Sequence, residues 1–288
     1  MAAIAGDGSC QNCGRVNDSY TPQSYHLPPS TVLQNRYMLG RVLGEGGFGI
    51  TYIGRDLRLD MKIAVKEYYP KEQAMRNTSS STALISYGGN TAHSFERGKK
   101  RFLSEARTLA KLIKHKTIVG VSDFFEENNT AYIVMEYIEG TTFHVWTEQW
   151  GGRIPAEELF RTVKPLFPAL SAVHDLGLIH RDISPDNLML EHGEVRLLDF
   201  GCAKGFSNES STMTVALKHG FAPLEQYTSQ GQGPWTDVYA LCATLYYCLT
   251  GITPARAIER LRKRSAGSSQ SDGGQYNCRS GSRTAQRT

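Results

Sequence analysis

The stretch His180-Arg181-Asp182-Ile183-Ser184-Pro185-Asp186-Asn187 is followed by Asp199-Phe200-Gly201 at the end of the apolar run Glu194–Asp199. Together they offer carboxylates and a carboxamide at spacings suited to phosphate chemistry. Transfer of a phosphoryl group needs little covalent help from a protein. It needs a carboxylate that orients the attacking hydroxyl and oxygen ligands that hold Mg²⁺ on the phosphates. Asp182 suits the first task, while Asn187 and Asp199 suit the second.

Two upstream features could complete such a site. Leu43-Gly44-Glu45-Gly46-Gly47-Phe48-Gly49-Ile50-Thr51 contains G-x-G-x-x-G, a spacing shared with dinucleotide-binding folds and ordinary glycine-rich hairpins. A dinucleotide site needs a helix after the glycines, whereas Ile50-Thr51-Tyr52-Ile53 is β-branched and aromatic and reads as a strand. A strand–glycine–strand flap lets backbone N–H groups close over phosphates. Lys66 ends the apolar strand Ile63-Ala64-Val65-Lys66. Such a lysine is commonly a solvated edge residue, and its functional reading needs an acidic partner. Glu105 is the candidate. It follows Phe102 by three residues and precedes Leu109 by four, beside the buried stripe of a helix whose apolar residues are Phe102, Ala106, Leu109 and Ile113. Glu96 is its rival, and an ordinary boundary carboxylate is the plain alternative.

Flap, strand lysine, loop and Asp-Phe-Gly, in this order, resemble the eukaryotic-type Ser/Thr protein kinases. The segments "IAVKEYYP", "HRDISPDN", "APLEQY" and "GPWTDVYAL" are similar to a bacterial branch of them, and the resemblance covers Arg36 to Leu261. It implies an α+β, bilobal protein-kinase fold: a small antiparallel β-sheet lobe with one helix, and a larger, mainly helical lobe. It further implies ATP and Mg²⁺ as cofactors and protein Ser/Thr hydroxyls as acceptors. Lys66, paired with Glu105, would position the phosphates beneath the flap Leu43–Thr51, and Asn187 and Asp199 would hold the metal. Met135 would be the gatekeeper, the backbones of Glu136 and Ile138 would bond adenine, and Leu43, Ala64 and Met189 would sandwich the base. Asp237 would anchor the catalytic loop. Arg181 implies regulation by phosphorylation after Asp-Phe-Gly, with Ser210, Ser211, Thr212 and Thr214 as candidates and autophosphorylation as one route, although a Ser/Thr-rich loop is more often simply solvated.

The chain departs from the pattern in two places. The lysine that usually stands two residues after the catalytic Asp is Ser184 here. Counting back from Glu225, the counterpart of the Glu in A-P-E, puts Lys218 where a threonine is usual. The pair reads as exchanged, with Lys218 returning the missing charge from the opposite side; an exposed loop lysine is the alternative. The large lobe also stops soon after "LYYCLTG", which would leave Glu225 without its usual arginine partner and the central helix with exposed apolar surface.

The elements that must position these residues follow from the rest of the chain. Its 288 residues, 40% hydrophobic and 21% charged, suit a globular protein of two lobes. Residues 1–35 read as a Cys-containing appendage and linker, 36–138 as the small lobe, 139–262 as the truncated large lobe, and 263–288 as a disordered tail without apolar periodicity. "VSDFFEENNTAYIVMEYIEG" reads as a hairpin turning at Asn-Asn, and Pro165 and Pro168 should distort the helix "ELFRTVKPLFPALSAVHDLG".

The net charge of +4 does not indicate a nucleic-acid partner, because from Arg256 onward eight Arg/Lys face two acidic residues; a basic tail is not a basic face. No stretch reaches the roughly 18 apolar residues of a membrane span. No signal peptide is evident, so the cytoplasm is the expected compartment. Cys10 and Cys13 form a C-x-x-C, half of a zinc-ribbon ligand set. Cys278 and His26 are poor candidates for the other half, and sharing Zn²⁺ between chains would imply self-association through this segment. The leading function is therefore a Ser/Thr protein kinase. The rival is a non-catalytic nucleotide-binding interaction protein, or a truncated product that folds poorly.

Overall fold

The structure, a computed structural model, describes residues 21–78, 81–198, 204–205, 217–228 and 231–267. Strands β1 (Val32–Leu33), β2 (Tyr37–Gly46), β3 (Gly49–Asp56), β4 (Met61–Tyr68), β5 (Ala74–Met75) and β6 (Ile85–Ser86) precede helix α1 (Asn90–Leu109), which leads to β7 (Val121–Glu127) and β8 (Thr130–Glu136). The small lobe is one antiparallel sheet in the order β1-β2-β3-β4-β8-β7. The β2–β3 register slips between Leu39 and Val42 and again between Val42 and Gly44. Such irregularities bend and twist a strand, here just before the glycine flap. Asn128 and Asn129 both take positive φ at the β7–β8 turn, the backbone that a tight two-residue hairpin demands.

Helix α1 buries Phe95, Phe102, Ala106 and Leu109 against the sheet. Ile113, expected on the same stripe, is 66% exposed. The α-helix ends at Leu109, and the 3₁₀ turn Ala110–Leu112 rotates the following residue off the buried face.

Residues 21–35 do not behave as a linker. Leu27 and Leu33 are fully buried, β1 pairs with β2 through Val32–Met38 and Leu33–Tyr37, and the Leu27 N–H donates to Tyr52 Oη at 3.1 Å. The segment between Lys66 and α1 also belongs to the lobe. It forms the β5–β6 hairpin and sends Arg76 inward to a buried ion pair with Glu67. Tyr52 Oη and Tyr132 Oη donate to the same carboxylate at 3.1 and 2.9 Å. Burial opposes the Arg76 charge, yet the Glu67 carboxylate more than offsets it and raises the guanidinium pKa.

The large lobe comprises β9 (Thr141–Thr142), α2 (Phe143–Gln149), α3 (Ala156–Val163), α4 (Leu166–Asp175), β10 (Leu178–Ile179), β11 (Leu188–Glu191), β12 (Glu194–Leu197), β13 (Lys204–Gly205), α5 (Leu224–Thr228), α6 (Pro234–Thr250) and α7 (Ala257–Gly267). The long helix read from the sequence is two helices, parted at Pro165. Pro168 is tolerated because it lies in the first turn of α4, where a backbone N–H has no intrahelical acceptor. Leu159, Val163, Leu166, Leu170 and Val173 build the core with Leu241, Leu245 and Cys248 of α6.

The opposite side of α6 leaves Trp235, Val238 and Tyr246 exposed. Glu225 is not without a partner, since Thr236 Oγ1 donates to its Oε1 at 3.0 Å. Helix α7 runs to Gly267, across the expected boundary at residue 262; residues 268–288 lie outside the described residues. Among the described residues, no helix is long and apolar enough to cross a membrane.

Candidate active site

A cleft of about 1060 Å³ separates the lobes. Its roof is the flap from Leu43 to Gly49 with Thr51, Ala64 and Lys66, and its back is Met135, Glu136 and Ile138. Its floor carries Asp182, Asn187, Met189 and Lys218. Nearly every residue singled out from the sequence thus lines one cavity. Ile50 and Glu105 do not line it: Ile50 is fully buried in the small-lobe core, because alternation along β3 turns it away from the cleft. Glu105 stands half-buried on α1. Asp199, Cys10, Cys13, Cys278 and the hydroxyls at 210–214 lie outside the described residues. His26 is engaged by Glu45 at 3.2 Å. Among the described residues there is no group of three or more His, Cys, Asp or Glu side chains that could hold a metal ion.

Glycines of the flap differ in their reasons. A Cβ at Gly49 would come within 2.4 Å of the Glu67 carbonyl oxygen, so the sheet itself forbids a side chain there. At Gly44 and Gly46 a Cβ would meet nothing within 4 Å. No packing among the described residues therefore excludes a side chain at either position, and what glycine supplies there is a backbone whose N–H groups no side chain obstructs.

The catalytic loop is held from below. Asp237, fully buried on α6, accepts from the backbone N–H of His180 and of Arg181 and from His174 Nε2, each at 2.8 Å. Arg181 has φ 69°, a conformation costly for a side-chain-bearing residue. Asp237 on its N–H and Gln226 Nε2 on its carbonyl, at 2.7 Å, hold it there. Burial pushes the His180 imidazole pKa below its usual value. The neutral ring donates from Nε2 to the Leu198 carbonyl at 2.8 Å, while Nδ1 accepts from the Asp182 N–H at 3.3 Å. Backbone order thereby passes from α6 to the carboxylate-bearing residue.

Asn187 Nδ2 donates to the Asp182 carbonyl at 2.7 Å and to Asp182 Oδ2 at 2.8 Å. This fixes the Asp182 side chain and leaves Asn187 Oδ1, a neutral oxygen ligand, for a cation. Lys218 Nζ donates to Ser184 Oγ at 2.7 Å and lies 3.4 Å from Asp186 Oδ2. The ammonium and hydroxyl exchanged in sequence are therefore adjacent in space.

Some lining residues escaped the sequence reading. Val119 and Leu198 are among them. Leu198 immediately precedes Asp199, a signal that was available; Val119 has no local signature. Its place comes from a strap in which Leu197 N–H donates to Thr117 O at 2.7 Å and Val119 N–H to Leu197 O at 3.1 Å. The hinge is braced by Arg196, which pairs with Glu136 and, at 3.0 Å, with Glu191. Glu191 in turn accepts from the Glu139 N–H at 2.9 Å. The Glu136 N–H donates to Gly120 O at 3.0 Å, so a bond from Glu136 to a base must use its carbonyl.

Comparison with known proteins agrees with this geometry. The family described as protein kinase domain matches residues 37–276. The chain is 31% identical over 228 residues to serine/threonine-protein kinase PknL of Mycobacterium tuberculosis, covering 78% of this chain and 52% of the relative. It is 30% identical over 226 residues to serine/threonine-protein kinase PrkC of Bacillus subtilis, covering 77% and 31%. Among solved structures, one titled PpkA-294 apo form superposes with a TM-score of 0.69 at 38% identity, covering 84% of this chain and 85% of that one. The chain spans about half the length of PknL and about a third of PrkC.

Proposed function

The chain belongs to the protein kinase family, and on that premise we propose that it transfers the γ-phosphate of ATP to serine or threonine hydroxyls of proteins. The observation that carries the proposal is the Asp182 carboxylate, fixed by Asn187 on the floor of a cleft whose roof bears Lys66. A carboxylate held at one orientation can receive the acceptor hydroxyl and take its proton as the oxygen attacks phosphorus.

The donor set fits ATP with Mg²⁺. The unobstructed backbone of the flap and Lys66 line the same cleft and would meet the phosphates and their charge, and Asn187 Oδ1 with Asp199 would hold the cation. Bound there, Mg²⁺ would neutralise charge developing on the phosphate oxygens. In this reading Lys218 supplies positive charge at the γ-position, with Ser184 Oγ as its stay. Glu105 is assigned to Lys66, which it would orient from α1. Because ATP is the donor, the cytoplasm is the compartment assigned to this activity.

The test is phosphate incorporation from Mg·ATP into the purified chain and into a generic basic protein, with Asp182→Asn as control. Loss of signal in the control is expected. An undiminished signal in the control would overturn the assignment of Asp182. ATP binding without any transfer by the wild-type chain would favour the non-catalytic reading.

A further inference from the structure

Glu45, between the first two glycines of the flap, is gripped from outside the cleft. Its carboxylate accepts from Tyr25 Oη at 3.1 Å, lies 3.2 Å from His26 Nε2, and pairs with Lys71 Nζ at 3.2 Å. Lys71 Nζ also donates to Tyr25 Oη at 3.1 Å and sits 4.9 Å above the Tyr25 ring. Burial works against the Glu45 charge, but bonds from His26, Lys71 and Tyr25 outweigh it and lower the carboxyl pKa.

The gripping residues come from residues 23–27 and from the segment between Lys66 and α1, and both are firmly seated. Tyr25 stacks on Tyr69 at 5.5 Å, its carbonyl accepts from Arg76 Nη1 at 3.1 Å, and Leu27 is buried next to it. Arg76 in turn is bound into Glu67, the residue after Lys66 on β4. The flap is thus tied to the strand that carries the phosphate-facing lysine, through a bracket made by residues 23–27 and the start of the β5–β6 segment.

We propose that Tyr25, His26 and Lys71 are positioning residues for nucleotide binding, holding the glycine flap over the phosphates through Glu45. The inference rests on the kinase reading of the cleft and adds to it a cause for the flap's position. A glycine-rich loop loses much entropy on closing over a ligand. A bracket that restricts it beforehand lowers that cost and favours a ligand with phosphates over one without.

The test is equilibrium binding to the full chain of two probes, Mg·ATP and adenosine. Tyr25→Phe removes one hydroxyl and keeps the stack on Tyr69; Glu45→Gln removes the charge. Each should weaken Mg·ATP about three- to ten-fold, the worth of one hydrogen bond, while adenosine affinity stays unchanged. The double variant should weaken Mg·ATP by less than the product of the two single effects, because both act through one side chain. Equal weakening of both probes would reduce the bracket to general support of the lobe and overturn the proposal. So would unchanged or tighter Mg·ATP binding in both variants. A wild-type chain that binds neither probe would overturn the nucleotide-site reading and the bracket with it; failure of the bracket alone leaves wild-type binding intact.

Discussion

Lys218 Nζ lies 2.7 Å from Ser184 Oγ, so a charge absent from the catalytic loop reaches it from a segment 34 residues further along the chain. Replacing Lys218 by Ala should lower kcat by about 100-fold, the usual effect of removing one preorganised donor at developing charge. Steady-state phosphorylation measures it. An undiminished rate would show Lys218 to be an ordinary loop lysine. The reciprocal pair Ser184→Lys with Lys218→Thr should recover more activity than either single change.

Asp237 holds three donors at once without any exposure to solvent. Asp237→Ala should cost about 3 kcal/mol or more, since it leaves two backbone N–H groups buried without acceptors and releases the strained Arg181. Urea midpoints with and without the substitution give this number. A cost below about 1 kcal/mol would mean that water replaces the carboxylate.

The Arg76–Glu67 pair is fully buried in its side chains. Arg76→Met should destabilise by about 3–5 kcal/mol because it strands the Glu67 carboxylate, whereas Arg76→Met with Glu67→Gln should recover part of the loss. Thermal or urea unfolding of the three variants decides it. Equal losses in single and double variants would mean that shape, not charge, governs the site.

His180 makes stability depend on acid. Its folded pKa is lowered by burial, so between the folded value and the ordinary value of about 6.5 the unfolded chain binds the extra proton. The contribution is complete above about pH 6.5 and declines as the pH falls below it. Urea midpoints at about pH 7.5 and about pH 5.5 should differ more for the wild type than for His180→Gln. Identical differences would remove His180 from the account.

Much of the site was legible because its chemistry demands particular atoms at fixed spacings. Asp182 and Asn187 stand on one short loop, and Lys66 stands on β4, which roofs the same cleft. The Ser184–Lys218 exchange could be read by counting back from Glu225, and the fold sets Lys218 Nζ 2.7 Å from Ser184 Oγ. Two proximal asparagines announced the β7–β8 turn because few other residues adopt positive φ in succession. What stayed hidden depends on contacts between distant, individually ordinary residues. Tyr25, His26 and Lys71 carry no signature, and they matter only because the fold brings them to Glu45. Arg196 is likewise a common strand residue until β12 sets it beneath Glu136. Ile50 was misplaced because a motif names consecutive positions, whereas a strand presents alternate ones to each side.

Homology and folding draw different edges on this polypeptide. The shared domain begins at residue 37, yet Leu27 and Leu33 are fully buried and the Leu27 N–H satisfies Tyr52 Oη inside the sheet. Excision at the homology edge would remove two leucines from a packed interior and leave a phenol facing a void. Engineered fusions or excised fragments should be cut ahead of Gln23, so that Leu27, Leu33 and the contacts of Tyr25 and His26 stay with the lobe.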